Sequence, residues 1–193
     1  MGKGRMEAFS DGVIAVIITV MVLELRVPAG AALTDLKPML PVFLTYALSF
    51  VNVGIYWNNH HHMMHAVRTV TGPILWANLH LLFWLSIMPL ATTWMSEHPL
   101  ASAPVAVYGG MLIMNALAYT LLAFLLVRHE GPGSALASAF GRDLKGKASI
   151  AFYALGIALS PWAPALSLAL YVAVAVIWFI PDRRIERVLP DRP

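Results

Sequence analysis

A run of four histidines is the sequence feature best suited to chemistry. His61 and His65 have the i, i+4 spacing that lets two imidazoles bind one metal ion on a helix, and His60 and His62 lie beside them. No convincing carboxylate nearby completes a ligand set, and the absence of cysteine excludes a thiolate zinc site and a thiol nucleophile. A metal-dependent membrane enzyme is one interpretation. An interfacial or structural role, or proton sensing near neutral pH, fits the histidines better.

Other polar residues interrupt segments that are otherwise apolar. Ser10 and Asp11 stand at the start of the first such segment, Trp57 near the end of the second, and Asn78 near the start of the third. Polar groups inside apolar spans are costly and are therefore candidates for function. Their roles depend on which elements hold them and where those elements lie.

The composition is that of a membrane protein. Of the 193 residues, 59% are hydrophobic and 12% are charged, whereas about a quarter of an ordinary soluble domain is charged. Six spans of about 20 residues would use roughly 120 residues to cross a bilayer core about 30 Å thick, close to the hydrophobic total. This composition argues against a soluble enzyme with one core and excludes a disordered chain. The net charge of +3 is explained by basic residues in cytoplasmic loops rather than by nucleic-acid binding.

Pro, Gly and charged residues divide the chain into six predicted transmembrane helices in one all-α domain, residues 1–193. The helices cover about residues 8–25, 40–59, 73–95, 104–127, 148–162 and 165–180. Pro161 and Pro164 favour a turn between the last two. With the N-terminus inside, 11 of the 13 Lys and Arg residues lie on the inner side, and only Arg26 and Lys37 lie outside. Both termini are therefore predicted to be cytoplasmic.

This topology brings the start of helix 1, the end of helix 2 and the start of helix 3 to one depth near the cytoplasmic face. We therefore predict a hydrogen-bonded cluster that comprises Ser10, Asp11, Trp57, His60, His61 and Asn78. The helix dipole favours the Asp11 carboxylate in the first turn of helix 1. Contact with lipid headgroups and water is the alternative explanation for these residues.

The first helix also carries an apolar stripe. Val16, Val20 and Leu23 follow one another at i, i+4 and i+7, with Thr19 beside them, and the stripe spans about 10 Å along the helix axis. By periodicity alone, such a stripe faces lipid or packs against another helix.

Three ordered blocks carry a family resemblance: Arg-x-x-x-Phe-Ser-Asp at residues 5–11, Tyr-Trp-x-x-His-His at 56–61, and Trp-Ala-Asn at 76–78 leading to Pro89. They resemble the transmembrane protein 175 family, the endo-lysosomal potassium channel and its prokaryotic homologues. One departure is His62, where many relatives have Arg. A role that depends on this arginine in the relatives therefore does not carry over to this chain.

The resemblance implies a potassium-selective cation channel with no enzymatic activity, metal or cofactor. Prokaryotic members carry one six-helix repeat and form homotetramers in which helix 1 lines the pore. The implied constriction here is Val16, followed by Thr19, Val20 and Leu23. A ring of four Val is wider than one of Ile or Leu, so we expect a leakier constriction than in relatives.

The resemblance also assigns a structural network that fastens helix 1 to helices 2 and 3. Its members here are Arg5, Phe9, Ser10, Asp11, Trp57, His60, His61 and Asn78. The implied partners are K⁺ and other monovalent cations, membrane lipid and three further copies of the chain. The implied location is a prokaryotic inner or plasma membrane. A proton-coupled secondary transporter that uses Asp11, His60 and His61 as a relay is the alternative function.

Overall fold

The structure, a computed structural model, describes residues 2–141 and 143–179 and is all-helical within them. A 3-10 helix, Leu33–Met39, precedes α2. The α-helices are α1 (Lys3–Leu23), α2 (Leu40–His65), α3 (Gly72–Ser86), α4 (Met88–Glu97), α5 (Ser102–Glu130), α6 (Ala135–Phe140), α7 (Leu144–Leu159) and α8 (Pro164–Phe179). Arg142 and the basic tail from residue 180 onward lie outside the described residues.

Several helices differ in extent from the sequence prediction. Helix α2 continues to His65, so the histidine run lies inside this helix rather than beyond its end. The predicted span 73–95 is two helices, because Pro89 lacks an N–H to continue the α3 ladder and stands at the start of α4. The predicted linker after α5 contains α6, whose first turn is capped where the Ala137 N–H donates to the Ser134 hydroxyl at 3.1 Å.

Four helical segments in the described part of the chain are long and apolar enough to cross a membrane. They are Lys3–Leu23, Leu33–His65, Gly72–Glu97 and Ser102–Glu130, and Pro164–Phe179 is a shorter apolar helix. Several membrane-length helices agree with the predicted all-α membrane protein. The number of spans stays a prediction, because α7 and α8 are each 16 residues long, below the usual 17–25.

Helix α5 is the centre of the bundle. It packs against α3, α4, α7 and α8, and α8 inserts a tyrosine into its surface. Tyr171 is fully buried and its hydroxyl donates to the Val105 carbonyl at 3.3 Å. The close approach is possible because Gly109 and Gly156 have no side chain where the Tyr171 ring lies. Small residues allow such close contact between membrane helices.

A polar group also crosses the core between α2, α4 and α5. The Thr92 hydroxyl donates to Ser49 Oγ at 2.7 Å, and Ser49 Oγ is 2.9 Å from the Tyr108 hydroxyl. All three residues are buried. These bonds fix the register of three helices whose apolar surfaces would otherwise slide against one another.

We expect Gly109→Ala to destabilise the protein, because the added methyl group would overlap the Tyr171 hydroxyl and lie 2.8 Å from Ile157 Cγ1. Overpacking of this kind costs about 1–3 kcal/mol. Gly110→Ala is the matched control, since nothing lies within 4 Å of its added carbon. Thermal unfolding in detergent compares the two variants, and equal midpoints would contradict the tight contact.

Candidate functional site: the first helix and its anchor

Helix α1 has two apolar faces, and only one of them is packed. Its buried residues recur at helical spacing and are Met6, Ser10, Ile14, Ile17 and Met21. This face packs against α2, α3 and α4. The other side is apolar too but is largely exposed among the residues that the structure describes.

The four residues predicted to line a pore all lie on the unpacked side of α1. Val16 is 59% exposed, Val20 40% and Leu23 80%, and Thr19 is also exposed. The Thr19 hydroxyl donates to the Val16 carbonyl at 2.8 Å, which leaves the lone pairs of its oxygen directed away from the helix. These residues therefore form one apolar strip that contains a single hydroxyl group, that of Thr19.

An open groove runs along this strip where α3 meets α4. Phe9, Gly12 and Val16 form one wall, and Ser86 and Pro89, at the break between the two helices, form the other. The break thus shapes the surface next to the exposed face of α1. A second polypeptide or lipid could lie here without displacing any part of the chain.

Three buried polar side chains hold the packed face of α1 to the bundle, and we call Ser10, Asn78 and His60 the α1 anchor. His60 Nε2 donates to Asn78 Oδ1 at 2.8 Å, and Asn78 Nδ2 donates to Ser10 Oγ at 2.9 Å. The Ser10 hydroxyl then donates to the Met6 carbonyl at 2.8 Å. Each of the three residues is at most 2% exposed, so the chain of bonds is closed to solvent.

A second, exposed contact lies one residue further along α1. Trp57 Nε1 donates to Asp11 Oδ1 at 2.9 Å. His61 stacks on Trp57 with ring centroids 6.1 Å apart, and His65 lies against His61 at 4.2 Å. The single cluster expected from the sequence is therefore two groups, one buried and one at the surface.

Three residues of the expected network lie outside its hydrogen bonds. Arg5 and Phe9 are exposed, and in the part of the chain that the structure describes no hydrogen bond joins Arg5 to the anchor. His61 contacts Trp57 only by ring stacking. They occupy these positions because Arg5, Phe9 and His61 lie on helix faces turned away from the buried contact between α1, α2 and α3.

The histidine run does not form a ligand set. Within residues 2–141 and 143–179, no three His, Cys, Asp or Glu side chains converge as a metal site would require. Sequence reasoning missed two other polar positions. One is the Ser49–Tyr108–Thr92 group, and the other is Asn115, whose amide is fully buried on α5 and has no hydrogen-bond partner among the described residues. Their only signal was a polar residue in mid-span.

Comparison with known proteins decides the family. Residues 5–89 match the family described as endosomal/lysosomal potassium channel TMEM175. A potassium channel of Chryseobacterium sp. (strain P1-3) is 56% identical over 191 residues, which are 99% of this chain and 100% of that protein. The chain belongs to the TMEM175 family. The resemblance noted in the sequence is thereby confirmed.

The fold also matches a solved TMEM175 structure. The crystal structure of a lysosomal potassium-selective channel TMEM175 homologue from Chamaesiphon minutus aligns with a TM-score of 0.80 at 27% identity, covering 93% of this chain and 97% of that one. The endosomal/lysosomal proton channel TMEM175 of Homo sapiens is 34% identical over 103 residues, 47% of this chain and 20% of that protein. Membership makes the chain a multi-pass membrane protein of an ion-channel family, which confirms that it is not an enzyme.

We expect Asn78→Leu to weaken the attachment of α1 in this TMEM175 protein. Leucine is similar in size but leaves the His60 N–H and the Ser10 hydroxyl oxygen without their buried partner, at a cost of about 1–3 kcal/mol. Asn59→Leu is the control, because among the described residues Asn59 Nδ2 bonds only to the Ile55 carbonyl of its own helix. Thermal unfolding in detergent should show the larger loss for Asn78→Leu, and equal losses would contradict the anchor.

Proposed function

We propose that the chain is a potassium-selective cation channel in which four copies surround a pore lined by α1. The observation that carries the proposal is the exposed apolar strip of Val16, Thr19, Val20 and Leu23, on a helix whose other side is buried against the bundle. In a chain of this family, four copies of the strip around one axis would form stacked rings. Val16 is the proposed constriction.

The position of α1 supports this arrangement. Helix α1 packs mainly against α2, α3 and α4, while α7 packs on α5, and α8 packs on α7, α2 and α5. A helix with an unpacked face is available to neighbouring copies. The groove bounded by Ser86 and Pro89 lies next to that face and would receive part of an adjacent subunit.

A ring of valines would select among ions by the energy of dehydration. K⁺ holds its water less tightly than Na⁺, so a narrow apolar ring penalises Na⁺ more, and such a ring can also close by dewetting. The Thr19 hydroxyls, one turn beyond Val16, would offer oxygen to a partly dehydrated ion. Selectivity would then come from ring width and hydroxyl placement together.

The charge distribution supports an orientation with both termini in the cytoplasm. Six of the eight Lys and Arg residues that the structure describes lie at the end of the bundle that holds the α1 N-terminus: Lys3, Arg5, Arg68, Arg128, Lys145 and Lys147. The Arg68 N–H donates to Glu130 Oε1, and the Thr69 hydroxyl bonds to His129, so the connection between α2 and α3 is held to the end of α5 here. The positive-inside rule makes it cytoplasmic, in the plasma membrane of a prokaryotic cell.

Liposomes that contain the purified chain test the function directly. We expect release of K⁺ down its gradient, faster than Na⁺, at a rate that rises in proportion to the ion gradient. The alternative, a proton-coupled transporter that uses Asp11 and the His60/His61 pair, draws support from the proton-channel name of the human relative. It predicts flux that saturates with K⁺ and follows an imposed pH gradient. No K⁺ flux from correctly inserted protein would refute the channel.

Substitution at Val16 tests whether α1 lines the pore. We expect Val16→Ala to raise Na⁺ and Cs⁺ permeability relative to K⁺, because the ring becomes wider, and Val16→Trp to abolish flux by filling it. The matched control is Val176 on α8, which is 57% exposed against 59% for Val16. Val176→Ala and Val176→Trp should leave ion flux unchanged. If the Val16 variants also conduct like the unmodified protein, α1 does not form the constriction.

A further inference from the structure

A small cavity lies where α2, α5, α7 and α8 meet, and none of the described residues of α1 lines it. Its volume is about 40 Å³, which is room for about three water molecules. Each of the four helices contributes one aromatic ring to the wall, and these are Tyr56, Tyr119, Tyr153 and Trp178. Tyr119 is 8% exposed and Tyr153 3%, so both side chains belong to the interior of the bundle.

The tyrosine hydroxyls of this cavity have no protein partner. Other buried tyrosines do, since Tyr108 and Tyr171 each form a hydrogen bond inside the bundle. In the part of the chain that the structure describes, the hydroxyls of Tyr56, Tyr119 and Tyr153 form none. None of these three oxygens is sealed off by protein atoms. Since buried polar groups are normally hydrogen-bonded, the missing partner is a molecule that enters the cavity.

A carboxylate and an amide oxygen add to this set of acceptors. Asp143 precedes α7, and its Oδ1 accepts from the Gly146 N–H at 3.0 Å. Its Oδ2 has no partner within residues 2–141 and 143–179. Asn59 Nδ2 donates to the Ile55 carbonyl at 2.8 Å, so Oδ1 is the atom of this amide that a ligand could use. A carboxylate close to several aromatic faces attracts cations.

We propose that the cavity binds a small alkylammonium ion, of the size of methylammonium. The N–H groups of such an ion would donate to the tyrosine oxygens and to the Asp143 carboxylate, and its methyl group would lie against the aromatic rings. Asp143 disfavours an anion, and the volume excludes a large amine. An inorganic cation gains less, because it donates no hydrogen bonds and most of the wall is ring carbon.

The proposal does not depend on the proposed channel, because the cavity lies apart from the strip on α1. It also accounts for a positive side chain nearby. Lys145 Nζ is 5.8 Å from the centre of the Trp178 ring, but Lys145 is not among the residues that line the cavity. Its charge opposes a cationic ligand, so removing it should not weaken binding.

Equilibrium binding of radiolabelled methylammonium to the purified full-length chain in detergent tests the proposal. We expect saturable binding that unlabelled methylammonium displaces. Methanol, which is similar in size but neutral, should not displace it, and K⁺ at the same concentration should displace it only weakly. Absence of saturable binding would overturn the proposal. Displacement by K⁺ as effective as that by methylammonium would overturn the assigned ligand class.

Two conservative variants test the location. Asp143→Asn keeps a good N-cap for α7 but removes the charge, and we expect the affinity to fall roughly tenfold or more. Tyr153→Phe keeps the ring and removes one hydroxyl, and we expect a fall of roughly threefold or more. Lys145→Gln should bind methylammonium at least as tightly as the unmodified chain.

Matched controls remove the same groups elsewhere. Asp35 also accepts a backbone hydrogen bond, from the Ala32 N–H at 2.9 Å, but Asp35 does not line the cavity. Tyr46 is on α2 and does not line it either. Asp35→Asn and Tyr46→Phe should therefore leave methylammonium affinity unchanged.

The thermal unfolding midpoint of each variant without ligand shows which variants are folded. Tyr119→Phe serves in place of Tyr153→Phe if the latter does not fold. Unchanged affinity in folded Asp143→Asn and tyrosine variants would place the ion elsewhere, and the proposal would be wrong. Val16→Trp separates this site from the proposed pore. It should bind methylammonium normally, and loss of binding there would place the ion in the pore and overturn the proposal.

Discussion

The rotation of α1 about its own axis is the constraint on which the rest of the structure depends. Both faces of this helix are apolar, and lipid is as apolar as the protein interior, so hydrophobicity cannot choose which face is packed. The buried bonds from His60 through Asn78 to Ser10 can make that choice. A rotation of α1 by one residue would break the bond from Asn78 to Ser10 and leave the Asn78 N–H unpaired inside a buried contact.

The same chain of bonds connects the anchor to the proposed constriction. Ser10 and Val16 are six residues apart on one helix, which is about 9 Å along the axis and about 120° around it. Once Ser10 is fixed to Asn78, the direction of Val16 is fixed as well. Helix α3 is in turn held by its packing on α5, whose contact with Tyr171 leaves little freedom. The exposed strip is thus presented by a series of rigid contacts that begins in the centre of the bundle.

The sequence predicted the polar residues but not their division into two groups. Topology placed Ser10, Asn78, Asp11 and Trp57 at one depth, because depth follows from the order of the spans. It could not say that Asn78 would reach Ser10 while Trp57 reached Asp11, because that depends on how each helix is rotated. Helix α6 and the break before Met88 were not predicted, for a related reason. Ser134 and Pro89 each favour the start of a helix, but whether a helix begins there depends on the surrounding packing.

Asp11 on α1 and Glu24 at its C-terminal cap show how a carboxylate near a membrane acquires its role. The Asp11 carboxylate accepts a hydrogen bond from Trp57 and so helps to hold α1 against α2. The Glu24 carboxylate has no hydrogen-bond or ion-pair partner among the described residues. The difference lies in the neighbouring cations and donors, not in the acids. A donor is built against Asp11, while at the other end the available cation, Arg26, is bound by Glu97. A carboxylate at this helix therefore takes a structural role only where a donor is built against it, as Trp57 is against Asp11.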